Sequence, residues 1–193
     1  MVKEGRPRRY DLRPVSGFVS DDIAYVVAAL DELSARLCDM ISDLPQEALD
    51  FIPPGTTNSI AMLVVHMAWA EASWIARLAD ALIDPDLEAL LLPGRQVAGG
   101  ELPVSTYSVA ELTALCHRVR HEVTMPALSV LGDIDRVVPD ARRPMTVRGV
   151  LMHLIWHWTY HSGQVGLLRR QAGARYQWTF DNQLGDVPGA SPH

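Results

Sequence analysis

Apolar residues recur every three or four positions along four long stretches of the chain, the period of a helix with one buried face. The first stretch follows Ser20, a residue suited to cap a helix N-terminus. It carries Ile23, Val26, Val27, Leu30, Leu33, Leu37, Met40, Ile41 and Leu44 before Pro45 stops it, so a helix is predicted from Ser20 to about Asp43. The second begins at Asn58 or Ser59 and runs to about Asp80, with Ile60, Leu63, Val64, Met67, Trp74, Ile75 and Leu78 on its face. The third opens with a capping box, Ser108 to Glu111. Its stripe is Leu112, Leu115, Val119 and Val123, and Pro126 is expected to kink or end it. The fourth runs from about Thr146 to Ala172, and Gly173 fits the position just past its end.

No stretch alternates convincingly in the manner of a strand. The pattern therefore predicts an all-α fold, a four-helix bundle with long connections. The expected organisation is an irregular N-terminal arm over residues 1–19, a bundle domain over 20–175 and a C-terminal tail over 176–193. The connection 84–107 carries Pro85, Pro93, Gly94, Gly99, Gly100 and Pro103. Connections of that length are commonly functional. It and the tail residues Tyr176 and Trp178 are expected to roof a site. A further loop is expected around Gly132, Asp133, Asp135, Pro139 and Pro144.

The polar residues that interrupt the apolar faces carry the chemistry. In the fourth helix His153, His157 and His161 recur every fourth residue. Residues four apart share a face about 6 Å apart along the axis. A helical wheel puts His157 and His161 inside the apolar stripe with Val150, Leu154, Val165 and Leu168, flanked by His153 and Gln164. Buried imidazoles need partners for both ring nitrogens. A metal ion satisfies one nitrogen of each neutral ring; a hydrogen-bonded core is the other reading of the same residues. The outer two histidines stand about 12 Å apart, too far to share an ion. One of the three is then spare, available behind the ligands or on the substrate side, and His153 and Gln164, which flank the in-stripe pair, are candidates to support the ligands from behind.

A third ligand has to come from another helix. The second helix holds one histidine, His66, at the edge of its stripe. Glu71 falls in the middle of that stripe, where a carboxylate is either paired and buried or close to a charged site, and it is a candidate ligand or a candidate to support the ligands. A second HxxxH pair, His117 and His121, lies opposite the stripe of the third helix among Arg118, Arg120 and Glu122, and is expected on a solvated face. The fourth helix has a second apolar face, Met152, Trp156, Tyr160 and Leu167 around Gly163, which predicts a homodimer.

Composition narrows the functions. A chain of 193 residues with 48% hydrophobic and 21% charged residues suits one globular domain. Its net charge of -6, with Arg6, Arg8, Arg9 and Arg13 as the one basic cluster, argues against a general nucleic-acid binder. No apolar run reaches the ~18 residues of a membrane span. No apolar segment follows the charged start, so neither a membrane anchor nor a signal peptide is expected. Cys38 and Cys116 form no CxxC motif, and free thiols in a reducing cytoplasm are the expectation.

The segments NSIAMLVVHMAWAEASWIARL and HLIWHWTYHSGQVGLLRRQAG together resemble the DinB/YfiT-like four-helix-bundle metalloenzyme family over roughly residues 18–175. In that family a histidine of the second helix and an HxxxH of the fourth bind a divalent metal, commonly zinc or nickel. The resemblance therefore implies His66, His157 and His161 as the ligands. His161, Gly163 and Gln164 match the family's H-x-G-Q ending, and Ser162 stands where arginine is frequent. Some members use a low-molecular-weight thiol, which implies a small-molecule substrate and thiol-dependent S-transfer or isomerisation. A non-catalytic stress-related metal-binding protein and a metal-dependent hydrolase are the alternative expectations.

Overall fold

The computed structural model describes residues 2–97, 101–138 and 145–180. The long helices are α1 (Asp21–Ile41), α3 (Ile60–Ala79), α5 (Val109–Arg118) and α7 (Val147–Gln171). Their starts follow the sequence signals. Ser20, Ser59 and Thr146 each accept a backbone N–H of the first turn, and Ser108 with Glu111 forms the full capping box. At the end of α7, Gly173 takes φ 82°. Its N–H donates to the Arg170 carbonyl and that of Ala174 to the Arg169 carbonyl, the paired closure that a left-handed residue permits.

The four helices close into a ring. α1 packs on α7, α7 on α3, α3 on α5, and α5 on α1. Helices consecutive along the chain therefore do not all lie side by side: α1 and α3 are diagonal, as are α5 and α7. That arrangement answers the long connections. Leu30, Leu37 and Met40 of α1, Leu63 and Met67 of α3, Leu112 of α5, and Leu154 and Trp158 of α7 fill the interior. Buried Arg169 donates to both carboxylate oxygens of Asp43, at 2.6 and 2.9 Å, fastening the end of α7 to the end of α1.

Four features differ from the expectations. First, the arm and tail are not irregular where they are described. β1 (Val2–Arg8) pairs in parallel with β4 (Arg175–Phe180). Parallel pairing needs a long crossover, and here the whole bundle supplies it. Second, the connection 84–107 contains α4 (Pro85–Leu91), capped by Asp84, and a 3-10 turn (Leu92–Gly94). The remaining short elements are α2 (Gln46–Leu49) and the strands β2 (Val137–Val138) and β3 (Met145–Thr146), which pair with each other.

Third, Pro126 neither ends nor breaks the third helix. α5 continues through a π-helical turn (Val119–Thr124) into α6 (Met125–Ser129). Pro126 is the second residue of α6, directly after the π turn. Fourth, the wider π turn rotates Arg120 and Thr124 toward α3, so Arg120 is buried rather than solvated. His117 and His121 are exposed as expected, their rings stacked 6.1 Å apart. Pro139 and Pro144, Gly99 and Gly100, and the tail over 181–193 lie outside the described residues.

Candidate metal centre

Where α3 faces α7, three imidazoles converge. One ligand atom from each of His66, His157 and His161 lies within 4.8 Å of the other two. His66 Nε2 and His157 Nε2 are 3.1 Å apart. Two nitrogens bound at 2.0–2.1 Å to one tetrahedral ion stand about 3.3 Å apart, so the spacing already matches that of two ligands. Ring centroids are separated by 4.9 Å for His66 and His157, 5.0 Å for His66 and His161, and 4.5 Å for His157 and His161.

Two of the rings are held by their far nitrogen. The His66 Nδ1–H donates to the Gly94 carbonyl at 2.8 Å. A carbonyl only accepts, so the proton is on Nδ1 and Nε2 presents its lone pair to the cluster. His161 Nδ1 is 2.6 Å from Gln164 Oε1, and Gln164 Nε2 donates to the Tyr160 hydroxyl at 3.3 Å. This chain fixes the His161 tautomer in the same sense. Such outer partners are what orient metal-binding histidines. His157 differs: its Nδ1 is buried without a hydrogen-bond partner. The donor set, three neutral nitrogens with two of them tethered, fits a divalent ion of the zinc or nickel kind.

The electrostatics keep the rings neutral. Burial lowers the pKa of His66 and of His161. His157 is pushed down to about 3, chiefly by burial and then by the neighbouring charges of His161, His66 and His153. A neutral imidazole is the form that binds a metal, and burial favours that form at all three rings.

Sequence reasoning missed the Gly94 carbonyl. It belongs to the backbone, and nothing in the composition of the connection marks it. Gly94 lies hard against α3. A Cβ there would stand 2.8 Å from Trp69 Cβ and closer still to the Val65 carbonyl oxygen. Only a residue without a side chain brings its carbonyl this near to His66. The long connection thus serves the site from below, through one backbone atom.

The other expected residues separate. Gln164 contacts the far nitrogen of His161. His153 is exposed; its ring lies 5.8 Å from that of His157 and meets Trp74 edge-on at 5.6 Å. Glu71 does not support the histidines. Both its oxygens are taken by Arg120, at 2.9 and 3.0 Å, and Oε1 also accepts from Thr124 at 2.6 Å. Arg120 is shared with Asp31 of α1. The mid-stripe carboxylate is therefore one half of a buried ion pair that joins α1, α3 and the π turn. Tyr176 and Trp178 do not roof the histidines. Tyr176 donates to Asp39 of α1 at 2.5 Å, and Trp178 covers the Arg36 guanidinium at 4.6 Å.

A ring of four helices with three imidazoles between the second and fourth long helices defines a DinB-like protein. A family model described as Mycothiol-S-transferase matches residues 25–173, and the chain belongs to that family. The match spans the whole bundle from the first turns of α1 to the end of α7. No curated protein matches the chain. Among the described residues no helix is long and apolar enough to cross a membrane.

Proposed function

We propose that the protein is a metal-dependent S-transferase. It joins a low-molecular-weight thiol, mycothiol on the family's description, to a small electrophilic molecule. His66, His157 and His161 hold the ion, zinc or nickel. The observation that carries this reading is the convergence of three neutral imidazoles with the far nitrogens of His66 and His161 already tethered. When bound, a divalent ion supplies a Lewis acid that favours the thiolate of a coordinated thiol at neutral pH.

The chain's own residues do the rest. Gly94 and Gln164 hold two rings in the tautomer that presents Nε2. Burial keeps all three rings unprotonated. Three protein ligands leave a position for the thiol, the arrangement of catalytic rather than structural sites. Tyr160 packs against His161 with ring centroids 5.0 Å apart and accepts from the Gln164 amide, so it backs that ring.

The test is thiol consumption by protein purified without a histidine tag, using mycothiol and a panel of alkylating electrophiles, alongside metal per chain. The S-conjugate is expected with metal-loaded protein and is lost with a chelator. Bound metal with no conjugate across the panel overturns catalysis in favour of a non-catalytic metal-binding protein. Conjugation that survives complete removal of the metal overturns the metal dependence. The same reading places the protein in the cytoplasm, where such thiols are kept reduced.

We also propose a homodimer formed through α7. Trp156, Tyr160 and Leu167 are 66%, 64% and 59% exposed and, with Met152, make a stripe around Gly163. A contiguous apolar stripe of this kind on a soluble surface favours a partner. Sedimentation should give twice the chain mass, and Trp156→Glu should shift it to the monomer. A folded wild-type monomer at micromolar concentration overturns it.

A further inference from the structure

The two cysteines, 78 positions apart in the chain, meet in the fold. Cys38 lies on α1 and Cys116 on α5, and the packing of those helices brings both side chains to the wall of one cavity. They share the wall of a cavity of about 230 Å³ with Asp31, Ser34, Arg120 and His117. No histidine of the α3–α7 cluster lines it. Cys38 is part-exposed and Cys116 is buried. The pair is therefore a dithiol with one reachable sulfur, opening to solvent through its own cavity.

We propose that Cys38 and Cys116 form a redox-active pair that a hydroperoxide closes to a disulfide across α1 and α5. Cys38 is the attacking sulfur because it is the member that solvent reaches. Its environment agrees. The hydrogen bonds from Cys116 and Thr113 and the charge of Arg120 outweigh burial and lower the Cys38 pKa, whereas Cys116 is held well up by its bond to Cys38 and by burial. The Glu71 and Asp31 carboxylates fix Arg120 beside the pair. Such a part-exposed thiolate next to a cation and a second thiol has the features of a reactive cysteine.

The chemistry balances in two steps. The Cys38 thiolate attacks one oxygen of the peroxide. The S–O bond forms, the O–O bond breaks, and the departing alkoxide or hydroxide takes a proton from water. Cys116 sulfur then attacks the sulfenic sulfur of Cys38. The S–S bond forms and hydroxide leaves, combining with the thiol proton as water. With hydrogen peroxide, two thiols and one peroxide give one disulfide and two waters. The sulfurs are oxidised by two electrons and the peroxide is reduced by two. This site and its chemistry do not depend on the metal reading.

The experiment is intact-protein mass spectrometry of the folded, full-length chain titrated with hydrogen peroxide, followed by peptide mapping without reductant. The expected result is loss of two hydrogens and a single Cys38–Cys116 cross-linked peptide, within one chain and reversed by dithiothreitol. Cys116→Ser should instead retain oxygen on Cys38, and Cys38→Ser should remain reduced at peroxide levels that fully convert the wild type. Sulfinic acid on Cys38 of the wild type with Cys116 still reduced overturns the pairing. Disulfides formed only between chains, or oxidation only after unfolding in urea, overturn it as well.

Discussion

The chain carries the spacing HxxxH on two helices, and the inward pair of one and the pair on the other have opposite fates. His157 and His161 lie between α7 and α3, 4.5 Å apart by ring centroid, with a third imidazole closing the group. His117 and His121 stack in solvent, 6.1 Å apart. Spacing alone puts two rings on one side of a helix. The side decides what they become. A ring turned into the bundle loses water and must find other partners, so tethers from Gly94 and Gln164 have a purpose there. A ring turned outward keeps its water and needs nothing.

The largest effect expected from this contrast is on metal content. On the proposed site, His66→Ala, His157→Ala and His161→Ala should each leave two of the three protein ligands and purified protein essentially metal-free. His117→Ala and His121→Ala should retain about one ion per chain. Elemental analysis of untagged protein checks both halves, with circular dichroism to confirm folding. Full occupancy in a folded His157→Ala protein would refute the site.

Next in size is the residue between the exposed histidines. Arg120 is buried on the same helix, paired with Glu71. Removing one member of a buried pair strands the other charge and costs about 3–5 kcal/mol. Arg120→Met should lower the unfolding free energy extrapolated from urea denaturation by that much. Glu71→Leu with Arg120→Met should recover most of the loss, because neither charge is then left alone. A mild effect of the single change would place the pair in water.

A smaller loss is expected from the tethers. Gln164→Leu frees the far nitrogen of His161, and Gly94→Ala pushes the carbonyl away from His66. Outer partners of metal-bound histidines are worth about 10–100-fold in affinity. Metal titration against a competing chelator should give losses in that range for both, short of the ligand changes. Equal affinity in the Gly94→Ala protein would mean that the connection does not serve the site.

Acid acts on the same rings. His157 is held down to about 3 in the folded, metal-free chain, against about 6.5 unfolded. Between those values the unfolded chain binds the extra proton. Stability of the metal-free protein therefore falls as pH drops from about 6.5 toward 3, and is fully present above that window. His157→Phe should flatten this acid limb in urea unfolding from pH 7 to pH 5. An unchanged slope would show that the ring is solvated.

Much of this was legible in the residues. The caps Ser20, Ser59 and Ser108, and the end of α7 at Gly173, are local signals and mark helix ends wherever they occur. The in-stripe placement of His157 and His161 follows from the period of α7 alone. What was not legible depends on geometry that a regular wheel lacks. The π turn at Val119–Thr124 changes the angle per residue, so Arg120 read as solvated when it faces Glu71. β1 has glycine and proline and no alternation, and its partner β4 is more than 170 positions away. The Gly94 carbonyl and the meeting of Cys38 with Cys116 both depend on how separate elements pack, which no single stretch encodes.

The smallest expected effect tests the exposed pair itself. His117 lies in the last turn of α5 and His121 in the π turn, and both are exposed. Both are exposed, so neither substitution leaves a closed void in the core. Alanine is the better helix former by about 0.5 kcal/mol. His117→Ala lies in regular α-helix and should therefore gain a few tenths of a kcal/mol. His121→Ala lies in the π turn, where α propensity counts for less, and should stay within about 0.5 kcal/mol of the wild type. Urea unfolding of the two single variants and the double resolves this. A loss above about 1 kcal/mol in either would mean that the outward pair has a partner in solution, and the contrast between the two HxxxH pairs would narrow to one of metal content.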